Sequence, residues 1–193
     1  MKFELLSPGK YLPANYWSEV APATSRVEVE LGPGDGRFLI EAAKRDSATL
    51  YVGVELRSSL ARQLRESREL ADNMRVYNFD GRWVITYLLA GASIDAFHLY
   101  FPDPWWKKRH HKRRLFTDDL CANLHRCLKA GGKVYAITDV EGLSVTMREM
   151  LGDAGLTETP WRRTAEDAAQ SSYERKYRRQ GRHLFESCYV KRG

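Results

Sequence analysis

The chain has 193 residues, of which 43% are hydrophobic and 29% are charged, a composition typical of a globular domain with its own core. No apolar run approaches the roughly 20 residues that span a bilayer, and no extended apolar stretch follows Lys2, which argues against a membrane protein and a secretory signal. Cys121, Cys127 and Cys188 form no CxxC pair, so a disulfide framework and a zinc ribbon are poorly supported and a cytoplasmic protein is expected.

The positive charge is concentrated in two short segments. The chain has 31 Lys and Arg against 25 Asp and Glu; segment 107–114 holds six of these cations and segment 175–182 holds five. Without the two segments, 20 cations face 25 acids, so the body of the chain is mildly acidic. Clustered cations repel one another unless a polyanion binds them, so the pattern favours a nucleic-acid partner over a solvated surface loop.

The predicted elements alternate between strands and helices after a proline-containing start. Residues 1–25 predict an irregular lead-in, and 26–193 predict one domain. The predicted strands cover 26–31, 50–55, 75–79, 94–100, 133–138 and 183–190, and the predicted helices cover 37–45, 58–71, 82–90, 117–128 and 143–154. This alternation predicts an α/β fold with a doubly wound, mostly parallel sheet, in which ligands bind just beyond the carboxyl ends of the strands.

The first predicted strand ends in a glycine-rich loop, Glu30-Leu31-Gly32-Pro33-Gly34-Asp35-Gly36. The spacing is GxGxG, whereas dinucleotide sites have GxGxxG, and an acid inside the loop does not suit a pyrophosphate. Glycines let a ligand approach the backbone closely, so Gly32, Gly34 and Gly36 are candidate cofactor contacts. A purely structural turn is the alternative interpretation.

Acidic residues stand at three successive strand ends. Glu55 ends the second strand, where a carboxylate can accept hydrogen bonds from both ribose hydroxyls of a nucleoside cofactor. Asp80 follows the third strand, where it or its neighbours would meet an adenine. With the acids of the glycine loop, this set repels a polyanion but tolerates a sulfonium. It therefore favours S-adenosylmethionine and a Rossmann-like class I methyltransferase.

The segment after the fourth predicted strand is Phe101-Pro102-Asp103-Pro104-Trp105-Trp106, and the first basic segment follows it. Class I methyltransferases place the group that meets the methyl acceptor at this strand end. The two prolines restrict the backbone around Asp103 and hold its carboxylate in a stiff loop. The tryptophans can stack on a base, and the cations can bind phosphates. This pattern predicts an RNA methyltransferase with Asp103 as its catalytic residue.

The string FPDPWWKKRHHKRR, residues 101–114, resembles the signature of the bacterial tRNA (guanine-N7-)-methyltransferase family. The glycine loop, the strand end Gly53-Val54-Glu55, Asp80 and Thr138-Asp139 follow in the order and spacing of that family, and the resemblance covers about residues 27–185. It implies S-adenosylmethionine as the cofactor, and its positions at the cofactor site are Glu30, Glu55, Asp80 and Asp103. Its substrate-site positions are Lys107 and Asp139. Its tRNA contacts are Arg109, His110, Lys112, Arg113 and Arg114.

A tail motif resembles the same family with departures. The family pattern is T-x-[FY]-E followed by a glycine-histidine pair, and this chain has Ser171-Ser172-Tyr173-Glu174 and then Gly181-Arg182. The resemblance implies that Ser171 and Glu174 lie at the substrate or RNA site. Serine stands where threonine is usual, and Arg182 stands where histidine is usual. These departures concern the placement of tRNA and leave the cofactor site intact.

The chemistry of guanine N7 needs no general base, because this nitrogen has an in-plane lone pair and no proton to lose. Methylation makes the purine cationic, so the Asp103 carboxylate would stabilise the growing charge. Alternatively, Asp103 would orient the guanine by accepting from its N1–H and N2–H₂ groups. Adjacent histidines in a basic run, His110 and His111, are poor metal ligands, and no metal is expected.

The resemblance implies methyl transfer from S-adenosylmethionine to N7 of a guanosine in the tRNA variable loop. The expected partner is tRNA, without a membrane, and the expected state is a monomer or a homodimer. One alternative is a methyltransferase of the same fold that acts on another RNA. A second alternative is a non-catalytic RNA-binding subunit, against which the retained Glu30, Glu55 and Asp103 argue.

Overall fold

The computed structural model describes residues 11–13, 15–103, 116–161 and 168–193. The strands are β1 (Arg26–Leu31), β2 (Thr49–Glu55), β3 (Met74–Asn78), β4 (Ile94–Tyr100), β5 (Leu128–Thr138), β6 (Leu156–Thr159) and β7 (Phe185–Lys191). The helices are α1 (Tyr16–Val20), α2 (Arg37–Arg45), α3 (Ser58–Arg65), α4 (Gly81–Tyr87), α5 (Asp118–Cys127), α6 (Glu141–Asp153) and α7 (Ser172–Arg179). Within the described ranges, every helix is too short or too polar to cross a bilayer.

All seven strands form one sheet in the order β3-β2-β1-β4-β5-β7-β6. The pairs among β1 to β5 are parallel, and β7 runs antiparallel to both of its neighbours. This confirms the predicted α/β fold with a doubly wound, mostly parallel sheet. The strand order reverses between β1 and β4, where Glu30 lies opposite His98. A ligand site is therefore expected in the crevice beyond the carboxyl ends of these two strands.

The core lies on both faces of the sheet. Every residue of β2 is buried, which is typical of a parallel strand covered by helices on both sides. Side chains of α2 and α3 pack on one face, and those of α4, α5 and α6 pack on the other. Leu12 and Trp17 of the predicted lead-in join the second of these clusters, and the Leu12 N–H donates to the Leu88 carbonyl at 2.7 Å. The start of the described chain is thus anchored to the end of α4 and to the core on this face of the sheet.

Three elements are absent from the sequence prediction, and the first is the five-residue helix α1, which lies within the predicted irregular lead-in. The four-residue strand β6 is too short for its alternation to be distinguished from a loop, and it exists because it pairs with β7. Helix α7 begins with the pattern Ser171-x-x-Glu174, in which the Ser171 hydroxyl accepts the N–H of Glu174 at 3.1 Å. Serine followed three residues later by glutamate is a helix-start signal, so α7 was detectable from the sequence.

Helix α3 ends at Arg65, earlier than the predicted end at residue 71. Beyond it, the Ser67 hydroxyl accepts the N–H of Glu69 at 3.1 Å. Such local side-chain to backbone bonds compete with the helical ones, and here the result is a turn. The spacing of apolar residues up to position 71, on which the predicted helix rested, does not show this competition.

A polar network between β1 and β4 under α2 runs from the buried His98 to the exposed Arg26. His98 Nε2 lies 2.8 Å from Glu28 Oε2, and His98 Nδ1 lies 2.8 Å from the hydroxyl of Tyr100. Arg26 donates to the other oxygen of Glu28 at 3.0 Å. Burial pushes the pKa of Glu28 upward, but the hydrogen bonds and charges of His98 and Arg26 outweigh it and lower this pKa to about 2.

We expect Glu28→Gln to lower the free energy of unfolding by about 3 kcal/mol at pH 7, because a carboxyl pKa that falls on folding stabilises the ionised native state. The contribution is complete above the unfolded pKa near 4.5 and is lost as the pH falls toward 2. Urea unfolding of both proteins between pH 7 and pH 3 should therefore show a difference that shrinks below pH 4.5. The exposed Glu66→Gln is the matched control, and a difference independent of pH would contradict this account.

Candidate functional site

The glycine loop between β1 and α2 leaves its backbone open. Gly32, Gly34 and Gly36 have φ angles of +72°, +59° and +74°. Among the described residues, and apart from its chain neighbours, a Cβ atom placed on Gly32 or Gly34 would meet no atom within 4 Å, whereas one on Gly36 would lie 2.4 Å from the methyl carbons of Leu64. Gly36 therefore permits close packing of α2 on α3. Gly32 and Gly34 leave space for a ligand to approach the backbone.

Glu55 anchors this loop from the end of β2. The side chain is buried, and its Oε2 accepts the N–H of Gly34 at 3.0 Å. Its Oε1 accepts the backbone N–H of Arg57 at 2.8 Å. A carboxylate offers about four acceptor positions, so Glu55 can hold the glycine loop and still accept a hydroxyl at Oε2.

Glu30 presents an oxygen without a partner. Its side chain is 2% exposed, and Oε2 has no hydrogen-bond partner within the described ranges. Burial first, and then the negative charges of Asp35 and Glu55, raise the pKa of Glu30 well above its usual value. A buried polar atom without a partner is costly, so this oxygen calls for a hydrogen-bond donor or a cation from a ligand.

Asp80 follows β3 and caps α4. One oxygen accepts the backbone N–H of Arg82 at 2.9 Å, and the other pairs with the Arg82 guanidinium at 2.8 Å. The hydrogen bond from this guanidinium lowers the pKa of Asp80. In the structure, Asp80 caps α4 and pairs with Arg82. The cofactor role that the sequence predicts for it stays a prediction.

Asp103 lies just beyond the end of β4 and is exposed. Two residues earlier, Phe101 has a φ of +50°, a left-handed conformation that is costly for a residue other than glycine. The Phe101 N–H donates to the Ile137 carbonyl at 2.7 Å, which fastens this turn to β5. The predicted RNA contacts lie outside the described residues: Lys107, Arg109, His110, Lys112, Arg113 and Arg114.

Asp139 follows β5 and forms an ion pair that the sequence analysis missed. Arg182 donates to its Oδ2 at 2.7 Å, and the Arg182 guanidinium lies 4.3 Å from the ring centre of Tyr177. The residue that replaces the family's usual histidine is thus held against a predicted substrate-site acid. The sequence signal for this ion pair was the arginine at position 182, where the family usually has histidine.

Ser171 and Glu174 support α7 from within. Ser171 caps the helix, and Glu174 is fully buried and pairs with Arg178 at 3.0 Å. Arg178 also donates to Glu186 of β7 at 2.5 Å. As placed, these residues fasten α7 to the sheet, and their contact with RNA stays a prediction.

These residues fit S-adenosylmethionine. The open backbone at Gly32 and Gly34 offers room, and the unpartnered Glu30 oxygen accepts from a donor or faces a positive charge. The negative charges of Asp35 and Glu55, which also raise the pKa of Glu30, would repel a diphosphate. A cationic sulfonium with an amino group and ribose hydroxyls suits this set of acceptors.

A doubly wound sheet with this glycine loop and these strand-end acids defines a class I methyltransferase. A variant of the 16S rRNA (adenine(1408)-N(1))-methyltransferase from Catenulisporales acidiphilia, solved with cosubstrate SAM, is similar in fold, with a TM-score of 0.64 and 17% identity. The match covers 95% of this chain and 93% of that chain. The aminoglycoside resistance methyltransferase NpmB1 has a TM-score of 0.61 at 15% identity, covering 94% and 95% of the two chains.

Sequence relatives specify the family. The model of a family described as "Putative methyltransferase" matches residues 24–187. A tRNA (guanine-N(7)-)-methyltransferase from Treponema pallidum is 35% identical over 89% of this chain and 70% of its own length. Proteins of that name from Rhodopirellula baltica and Thermus thermophilus are 31% and 34% identical, over 86% and 84% of this chain. The chain belongs to the tRNA (guanine-N(7)-)-methyltransferase family, and it spans 66% and 53% of the length of those last two relatives.

Proposed function

We propose that this chain transfers the methyl group of S-adenosylmethionine to N7 of a guanosine in tRNA. The observation that carries the proposal is the buried Glu30 carboxylate, which has an oxygen without a partner in the described part of the chain and directly precedes an open glycine loop. The relatives named tRNA (guanine-N(7)-)-methyltransferase support the acceptor. The cytoplasmic location and the monomeric or homodimeric state stay predictions.

The cofactor site is assigned to groups at the ends of β1, β2 and β3. Glu30 would accept a hydrogen bond from a donor of the cofactor, and Glu55 would accept from the ribose at its remaining lone pair while it holds Gly34 in place. The backbone at Gly32 and Gly34 would lie against the ligand. Asp80 is occupied by its helix and by Arg82, so the residues beside it would contact the adenine.

Methyl transfer is an in-line displacement, in which correct positioning supplies much of the rate acceleration. The bound cofactor supplies a methyl group on a cationic sulfur. Guanine N7 loses no proton, so no side chain has to act as a base. The exposed Asp103 carboxylate beyond β4 would face the purine as it becomes positively charged, and a fixed negative charge stabilises such a transition state.

The RNA would lie along the predicted contacts of segment 107–114 and along the second basic segment, 175–182, most of which lies on α7. Asp139 would meet the substrate beside Arg182, because the two side chains are paired at 2.7 Å. We infer the variable loop as the methylated region from the resemblance in residues 101–114. The alternative is that the chain methylates another RNA. The feature that favours this alternative is Arg182, which stands where the tRNA-methylating family usually has histidine.

We expect the purified chain to transfer tritium from methyl-labelled S-adenosylmethionine to bulk tRNA, but not to rRNA or protein. Nuclease digestion and mass spectrometry of the product should yield 7-methylguanosine, and fragment mapping should place it in the variable loop. A methyl group on another base atom or in another RNA would overturn the proposed acceptor. No transfer to any RNA would support the non-catalytic alternative.

A further inference from the structure

The tail helix α7 is tied to the glycine loop through Asp35. The Ser172 hydroxyl, on the first residue of α7, donates to Asp35 Oδ2 at 2.5 Å. The other oxygen of Asp35 accepts the N–H of Arg37, the first residue of α2, at 3.2 Å. One carboxylate of the glycine loop therefore joins the starts of two helices that are more than 130 residues apart in the chain.

A second tie lies one turn further along both helices. Glu41 of α2 pairs with the Arg175 guanidinium of α7, and its other oxygen accepts the backbone N–H of Gln170 at 3.2 Å. Burial pushes the pKa of Glu41 upward, but the hydrogen bonds from Arg175 and Gln170 outweigh it, so this pKa lies below its usual value. The Glu41 side chain is only 15% exposed, and a partly buried pair is screened less by salt than one on the surface.

The other side of α7 faces solvent and is basic. Tyr173, Lys176 and Arg179 are exposed, whereas Glu174 is buried. In the described parts of the chain, neither Lys176 nor Arg179 makes an ion pair. An exposed tyrosine beside unpaired cations suits RNA, because the ring stacks on a base and the cations meet phosphates. One helix thus contacts the predicted cofactor loop on its inner side and presents an exposed basic surface on its outer side.

We propose that Ser172 and Arg175 are positioning residues that couple the binding of RNA to the binding of S-adenosylmethionine. RNA held on the outer side of α7 fixes the inner contacts to Asp35 and Glu41, and these hold the glycine loop in the conformation that accepts the cofactor. The coupling rests on the proposed function, because it needs both ligands on this chain. It is reciprocal, so the cofactor raises the affinity for RNA by the same factor.

Calorimetry with S-adenosylhomocysteine tests the coupling, because this demethylated form of the cofactor cannot react. The full chain is titrated with it in the absence and in the presence of saturating tRNA. We expect tRNA to tighten its binding about 5-fold or more. Ser172→Ala, which removes the donor to Asp35, should lower that factor to less than about 2-fold, and Ser172→Thr, which keeps a hydroxyl, should restore it.

Ser144→Ala is the matched control, because the Ser144 hydroxyl in the first turn of α6 donates only to the carbonyl of Glu141 at 2.8 Å. It should leave the coupling unchanged. If Ser172→Ala does not fold, as judged by thermal melting, Arg175→Gln removes the second tie and should lower the coupling in the same way. A wild-type affinity independent of tRNA, or equal coupling in wild type and in the folded variant, overturns the proposal.

Methyl transfer by the wild-type chain is measured alongside. If the chain methylates tRNA but binds S-adenosylhomocysteine with the same affinity with and without tRNA, the coupling is overturned and the proposed function stands. Absence of transfer, with S-adenosylhomocysteine binding that responds to neither tRNA nor Ser172→Ala, overturns both the proposed function and the coupling. The two failures are therefore distinguishable in the same preparation.

Discussion

Replacing Asp103 with asparagine is expected to lower kcat by about 10²- to 10³-fold, the scale of losing one electrostatic stabiliser of a transition state. Asparagine keeps the size of the side chain and one acceptor oxygen but removes the negative charge. The cofactor affinity should stay nearly unchanged, because the groups assigned to the cofactor lie mainly at β1 and β2. Single-turnover methyl transfer to tRNA and calorimetric cofactor binding measure the two quantities.

The division of the loss between kcat and KM separates the two roles considered for Asp103. Charge stabilisation acts in the transition state and lowers kcat, whereas orientation of the guanine through its N1–H and N2–H₂ groups contributes to substrate binding and raises KM as well. Asp119→Asn is the matched control, because it removes an exposed carboxylate on α5. A near-normal rate for Asp103→Asn would remove the charge-stabilising role and leave the family assignment standing.

The fold was predictable because its signals are local. Each parallel strand is a short β-rich run, and each following helix shows apolar residues at helical spacing, so strand 94–100 and helix 37–45 were predicted with the bounds that the structure has. The strand β6 was not predicted, because it is stabilised by pairing with β7 and by little within its own four residues. Pairing partners distant in the chain leave no local pattern.

The candidate site was predictable in its positions but less so in its contacts. The sequence placed Glu30, Glu55 and Asp103 at strand ends, and the structure brings these ends to one edge of a parallel sheet. The sequence did not show that Glu55 holds Gly34 or that Asp80 pairs with Arg82, because side-chain partners depend on rotamers and on backbone direction. The ties from α7 to Asp35 and Glu41 were missed for a further reason, since α7 itself was not predicted.

Glu55 holds the glycine loop and is also assigned a contact with the cofactor. The loss of both roles should lower the affinity for the cofactor strongly. Glu55 is 3% exposed, and its Oε2 holds the N–H of Gly34 at 3.0 Å, so it shapes the loop that the ligand would touch. The same oxygen has a lone pair left for a ribose hydroxyl. Removal of the carboxylate would therefore delete a ligand contact and release the loop at once.

We expect Glu55→Ala to weaken the binding of S-adenosylhomocysteine by at least about 10- to 150-fold, since the lost ligand hydrogen bond alone is worth about 1.5–3 kcal/mol and the released glycine loop adds to it. The affinity for tRNA in the absence of cofactor should change little, because Glu55 lies at the opposite side of β1 from β4. Glu55→Gln retains an acceptor oxygen of the same reach and should recover part of the loss. Calorimetry on variants with native-like thermal melting measures each affinity. An unchanged cofactor affinity in folded Glu55→Ala would remove this residue from the site, and an equal loss of tRNA affinity would show that the substitution disturbs the domain as a whole.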